Sequence, residues 1–344
     1  MPNAPNVVDF WLWPLTLSGL LGRDVPAPAE IPFASANEIV AELANLRLRR
    51  FSFAARGPAP VLVVAPFAVH DAGIADRADG HSLVASLAGY GLGPIFLVEW
   101  RSARRDMAGA SVDSCLADLN AAIDLIGDKP DLVGLCQGGW MSLVHAAAFP
   151  GKARRLVIAG APVDTSFSSA IAEGARYMPE IFVDQTIAAE GGVLRGAATL
   201  AAFRASGGAE RDVSEILQIA SPADNPAACA ALAAWDARTL DLPGVYYRQV
   251  AAWLFRENRL AQGTFPAFGR PVPLSRIDAP IYILAGLADR IAPPAQVRAA
   301  LDLVGTPPAD RACAEADCGH LALFMGARTL DAEWRKIAEW LRRP

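Results

Sequence analysis

The pentapeptide Gly134-Leu135-Cys136-Gln137-Gly138 follows the apolar run Leu132 to Leu135 and precedes a helical pattern from Trp140 to Ala148. A nucleophile at the tip of a strand–turn–helix needs glycines beside it, because the turn is tight and strand and helix approach closely. The head of such a helix favours a thiolate through its dipole and free N–H groups, and a neighbouring imidazole lowers the thiol pKa further. A cysteine in this pattern also fits a buried structural role, since free cysteines commonly pack as small hydrophobes. The partners decide between the two. Asp289 lies in the loop Gly286-Leu287-Ala288-Asp289-Arg290 after the apolar Ile281 to Ala285, and His320 lies in Cys318-Gly319-His320 after the strand-like Arg311 to Ala316. Nucleophile, acid and histidine thus come in the chain order used when all three sit on loops after successive strands. His320 is the expected base, and Asp289 the residue that holds its tautomer and stabilises the imidazolium.

The chain has only four histidines, so the choice of base is narrow. His145 falls nine residues after Cys136 in the following helix and His81 at a helix start, and both read as structural. Asp317 stands beside the histidine loop and suits a surface carboxylate better than the triad. His70 closes Ala65-Pro66-Phe67-Ala68-Val69-His70, the loop expected to give the second oxyanion-hole N–H. The first donor is the N–H of Gln137, and Phe67 or Ala68 supplies the other. His70 and Trp140 are candidate substrate contacts, although His70 also fits a cap on Asp71 to Asp76. Cys313 and Cys318 lack the spacing and histidine partners of a zinc site, and Cys115 lies mid-helix, so no metal is expected. No glycine-rich phosphate loop stands between a strand and a helix, so no bound cofactor is expected either.

These residues need a frame. Of 344 residues, 53% are hydrophobic and 19% charged, enough for a large core in one domain or one domain with an insertion. Lys and Arg number 31 and Asp and Glu 36, a net charge of −5 without a basic cluster, which disfavours nucleic acid. Five cysteines with no Cys-x-x-Cys pair point to a reducing compartment, with cytoplasm as the default. The run Phe10 to Leu21 is broken by Pro14 and Gly19 and has no basic residues before it, so neither a transmembrane segment nor a signal peptide is expected. It reads as a segment that packs on the body or lies on an apolar surface, followed by a Pro- and Ala-rich linker over 22–36. Leu46 to Phe53 alternates like an edge strand. Pro60 to Ala65, Pro94 to Val98, Leu132 to Leu135, Leu156 to Ala159 and Ile281 to Ala285 are continuously apolar, as strands covered on both faces are. Helical patterns at Val112 to Ile126 and Trp140 to Ala148 lie between them.

Alternating strand and helix predicts a mostly parallel sheet with helices on both faces, and the elbow with its acid and histidine in that chain order makes an α/β-hydrolase fold the expected version of it. The alternation stops near Thr165 and resumes near Ala279, which predicts an inserted helical cap rich in Ala and carrying Tyr177, Trp235, Tyr246, Tyr247, Trp253 and Phe255. The expected division is 1–44 as N-terminal segment and linker, 45–164 with 279–344 as core, and 165–278 as cap.

From about residue 45 onward the chain resembles the polyhydroxyalkanoate (PHA) synthase family. The strongest stretch is LVGLCQGGWMSLVHAAAFPGKARRLVIAGAPVDT, Leu132 to Thr165, with the G-x-C-x-G-G box and the Pro-Val-Asp after the next strand. Collinear weaker matches are GHSLVASLAGYG with FLVEW (Gly80 to Trp100), WDARTLDLPG (Trp235 to Gly244), ENRLAQGTF (Glu257 to Phe265) and ADRIAPP (Ala288 to Pro294). The resemblance implies the same triad, Cys136, Asp289 and His320. It further implies an acyltransferase that uses 3-hydroxyacyl-CoA, with PHA polymer or oligomers, a granule surface, and a homodimer or second subunit as partners. Two stretches depart from synthases. Phe67-Ala68-Val69-His70 replaces an Asn-Arg-Pro type segment, and with Gly319-His320-Leu321-Ala322-Leu323-Phe324-Met325-Gly326 it is more similar to intracellular PHA depolymerases. Those lack the Gly138-Gly139 pair found here. Synthesis is therefore the first reading, a hydrolase with the same triad the alternative, and an inactive granule-associated protein the third, motivated by Trp11 and Trp13.

Overall fold

The fully apolar runs become the centre of one sheet. A computed structural model describes residues 31–54, 57–203 and 225–343, so the Phe10–Leu21 run, Trp11, Trp13 and most of the 22–36 linker lie outside the described residues. Eight strands form the main sheet: β1 (Asn37–Glu42), β2 (Leu46–Phe51), β3 (Val61–Val64), β4 (Ile95–Trp100), β5 (Asp131–Leu135), β6 (Arg155–Ala159), β7 (Ile281–Gly286) and β8 (Arg311–Ala316). Their order is β1-β2-β4-β3-β5-β6-β7-β8. The pairs from β4 to β8 are parallel, and β1–β2 and β2–β4 are antiparallel. This mostly parallel sheet with helices on both faces is an α/β-hydrolase fold.

Register explains why these runs carry no alternation. Leu62, Leu132 and Leu156 stand in one row, and Val63, Val133 and Val157 in the next. The leucine row faces one apolar cluster with α2 (Val112–Ile126) and α3 (Gln137–Ala148). The valine row faces a second, with α1 (Leu83–Gly89) and the carboxy-terminal helix (Ala327–Leu341). Successive strand residues point to opposite faces, and here both faces are covered, so every position is apolar.

β1 corrects one boundary. Residues 37–42 fall in the stretch read as N-terminal segment, yet they pair with β2 as the sheet's edge. NEIVAE gives no signal because an edge strand exposed along most of its length needs no apolar alternation. Among the described residues no helix is long and apolar enough to cross a membrane.

The chain between β6 and β7 forms the cap. Its described helices are α4 (Ala170–Tyr177), α5 (Glu180–Ala189), α6 (Gly196–Phe203), α7 (Pro226–Asp236) and α8 (Gly244–Gln249), the last running into a π-helical turn, Val250–Arg256. Its entrance and exit are tied together. Asn258 Oδ1 accepts from the Thr165 N–H at 2.9 Å and from the Thr165 hydroxyl at 3.1 Å, while its Nδ2 donates to Asp164 at 2.8 Å. The PVDT and ENRL stretches thus meet in space.

Candidate active site

Cys136 ends β5 and opens α3 with φ 49° and ψ −118°, a conformation unfavourable for a side-chain-bearing residue. The turn is held open by what surrounds it. Its N–H donates to Ala159 O at 2.9 Å, and its carbonyl accepts from Gly139 N at 2.9 Å. A Cβ at Gly138 would stand 2.0 Å from Val64 O, and one at Gly139 2.5 Å from the Ala161 Cβ. The two glycines let α3 lie against the sheet so closely that the thiol is raised on the strained elbow.

His320 and Asp289, far apart in the chain, meet in space. His320 Nδ1 stands 2.7 Å from Asp289 Oδ2, and the other carboxylate oxygen accepts the Ile291 and Ala292 N–H groups at 2.9 Å each. With Nδ1–H on Asp289, the second ring nitrogen is left free to serve Cys136, whose sulfur is close enough to act on the charge of the ring. Burial works against a charged ring, but the Asp289 carboxylate and the Cys136 sulfur outweigh it and hold His320 well above its ordinary pKa. The arrangement can take a proton from the thiol and return it to a leaving group. Asp317 makes no such contact with His320.

The two expected oxyanion donors have different supports. Gln137 is the first residue of α3, so its N–H is one of the groups a helix leaves unpaired at its start. Phe67 is buried, its ring stacked 5.1 Å from Trp100 and 4.8 Å from Tyr246, and its carbonyl accepts the Tyr246 hydroxyl at 3.2 Å. Burial, then the charges of Cys115 and Cys136, hold the Tyr246 phenol well above its ordinary pKa, so it remains a donor.

The two candidate substrate contacts are engaged elsewhere. Trp140 is fully buried, with its indole N–H donating to the Gln137 side chain and its ring 5.5 Å from Phe265, so it acts on Gln137 rather than on a ligand. His70 has Nδ1 2.9 Å from Arg238 O, Nε2 3.4 Å from Asp236 Oδ1 and its ring 4.5 Å from Trp235. His81 lies against Met325 O at 2.8 Å, and His145 sits in the core. Tyr246 and Asn258 were not singled out by the residue reading, although Tyr246 comes two positions after the WDARTLDLPG stretch and Asn258 lies inside ENRLAQGTF. Among the described residues no group of three or more His, Cys, Asp or Glu is placed to hold a metal ion.

The chain is similar to known proteins in sequence and in fold. The family model "PHB de-polymerase C-terminus" matches residues 227–343, the stretch that carries Asp289 and His320. The poly(3-hydroxyalkanoate) polymerase subunit PhaC of Haloferax mediterranei is 24% identical over 319 residues, covering 88% of this chain and 63% of that protein. The same subunit of Synechocystis sp. is 26% identical over 307 residues, covering 86% of this chain and 81% of its own length. The chain is similar to these polymerase subunits and spans less than two thirds of the Haloferax relative. Among solved structures, the monoacylglycerol lipase of Paleococcus ferrophilus superposes with a TM-score of 0.54 at 17% identity, over 87% of this chain and 99% of that one. The enol-lactonase of Burkholderia xenovorans gives 0.53 at 15%, over 87% and 97%. Both likenesses bear on the fold alone, which is that of an α/β-hydrolase.

Proposed function

We propose that this protein is an acyltransferase of PHA metabolism that uses 3-hydroxyacyl-CoA, with Cys136 as nucleophile, His320 as base and acid, and Asp289 as the residue that orients His320. The observation that supports the reading is the His320–Asp289 hydrogen bond beside a cysteine raised on a strained strand-to-helix elbow. His320 takes the thiol proton, the sulfur attacks the thioester carbonyl, and the oxyanion is held by the N–H groups of Gln137 and Phe67. Collapse breaks the bond to CoA sulfur, and His320 returns the proton to it. His320 then takes the proton from the hydroxyl of a growing chain, whose oxygen attacks the acyl-Cys136 and frees the thiol. One thioester replaces another in the first half, so the acyl group stays activated for ester formation. The scheme needs no cofactor beyond the CoA thioester itself. The partners that go with this reading are a PHA granule surface and a homodimer mate or second subunit.

A second reading has its own support, because the family model over residues 227–343 is that of a depolymerase. Water reaching the same acyl-enzyme gives a hydrolase of PHA, its oligomers or acyl thioesters, and the cap decides which nucleophile arrives. Incubation with 3-hydroxybutyryl-CoA, and separately with amorphous polymer, separates the readings. CoA release with polymer growth supports transfer, and free hydroxy acid supports hydrolysis. Inertness toward both substrates sinks both and leaves a granule-associated protein.

A further inference from the structure

The loop after β3 is gripped by the cap. Leu240 N–H donates to Val69 O at 2.8 Å, and His70 Nδ1 stands 2.9 Å from Arg238 O. Asp71 continues the contact, its carbonyl accepting the Trp235 indole N–H at 3.3 Å and its carboxylate standing 3.2 Å from Arg238 Nε. At the other end Tyr246 holds the Phe67 carbonyl. Every one of these partners lies between residues 235 and 246 of the cap. The Gln137 N–H, by contrast, is fixed by α3 and the sheet.

We infer that the cap sets the second half of the oxyanion hole, and that His70 is the positioning residue that couples the two. The inference rests on the acyl-transfer reading, in which Phe67 N–H is an oxyanion donor. Three features of His70 carry it. Both ring nitrogens face cap atoms, Arg238 O and Asp236 Oδ1, and the ring packs on the buried Trp235. The residue stands three positions after Phe67, so the contact that anchors it also fixes the direction of the intervening peptides. Asp236 and Arg238 belong to the end of α7 and the turn that closes it, so displacement of this cap segment drags His70 with it. A hole built this way is complete only while the cap is seated. An oxyanion donor displaced by less than an ångström loses much of its value, because stabilisation depends on preorganised distance.

The test compares two reactions of Cys136 in the full chain. Iodoacetamide alkylates the thiolate by displacement at carbon and forms no oxyanion, whereas p-nitrophenyl butyrate or 3-hydroxybutyryl-CoA must pass through one. His70→Ala is expected to slow acylation about 10- to 100-fold while alkylation stays within about twofold of wild type. His70→Asn keeps a donor where Nδ1 stands and is expected to restore most of the acylation rate. Tyr246→Phe, which frees the Phe67 carbonyl from the other side, is expected to slow acylation several-fold with alkylation unchanged. If His70→Ala does not fold, the other two variants carry the test.

Equal losses in both reactions overturn the inference, since they indicate damage to the thiolate or to access. Wild-type acylation in both His70→Ala and Tyr246→Phe overturns it as well. A wild-type protein acylated by the ester but not by the CoA thioester sinks the CoA substrate instead, and the comparison of variants then runs on the ester. A protein alkylated but acylated by neither sinks the acyl-transfer reading and this one together.

Discussion

The two sides of the site are built from different material. On the nucleophile side, Cys136 hangs from Ala159 and Gly139, Gly138 presses on Val64, and Asp289 is held by its own loop, so every support comes from the sheet, the first turn of α3 or the loops that leave the sheet. On the loop side, Phe67 to Asp71 are held by residues 235–246, more than 160 positions away in the chain. The contrast teaches a division of labour. The core holds the cysteine and the His320–Asp289 pair, and the cap holds the loop that carries Phe67.

Substitutions can break that contrast from either side. The largest effect is expected of Cys136→Ala, which should abolish acyl-enzyme formation, followed by mass spectrometry of the intact protein, while leaving the thermal midpoint close to wild type. Asp289→Asn should lower the acylation rate about 10³- to 10⁴-fold, because the amide favours the wrong tautomer of His320 and removes the charge that balances the imidazolium. Gly138→Ala drives a Cβ into the Val64 carbonyl and should cost several kcal/mol of stability, roughly 3 or more, read by denaturant unfolding. On the cap side, Asn258→Ala removes three hydrogen bonds between Asn258 and the Asp164–Thr165 pair and should cost about 1–3 kcal/mol. Its signature is faster proteolysis within 165–278 with the core unfolding transition retained. The reverse pattern, a lowered core transition with an intact cap, would show that the division between the two sides is drawn in the wrong place.

A last effect, spread over more than two pH units, sharpens the core side. His145 is buried, its Nδ1 without a hydrogen-bond partner among the described residues, and burial together with Lys152 lowers its pKa to about 4. The unfolded chain then binds a proton between about pH 6.5 and 4 that the folded one does not, so stability falls as pH drops through that window and is flat above it. The full span amounts to roughly 3 kcal/mol. His145→Gln should flatten this acid limb in urea titrations, and an unchanged limb would assign it to other groups.

Much of the nucleophile side was legible from residues alone. Continuous apolar runs mark strands covered on both faces, and Cys136, Asp289 and His320 follow three of the strand patterns in a fixed order. The helix Val112–Ile126 and the strand Arg311–Ala316 fall on their expected bounds. The loop side was not legible, for a physical reason. The contact of His70 with Arg238 and Asp236 is tertiary and leaves no local period, so His70 could be placed near the reaction but not assigned a task. Trp140 misled in the opposite sense. An aromatic side chain near a nucleophile suggests a ligand contact, whereas its burial against Phe265 and its hydrogen bond to Gln137 make it a brace. Edge strand β1 was missed because exposure removes the very pattern by which strands are read.

All twelve residues of the helix behind Cys136 are buried, so α3 has no solvent face at all. Such a helix cannot be varied without disturbing the sheet, the elbow and α2 at once. Substitutions between 137 and 148 are therefore expected to register as losses of stability before they alter what the site accepts.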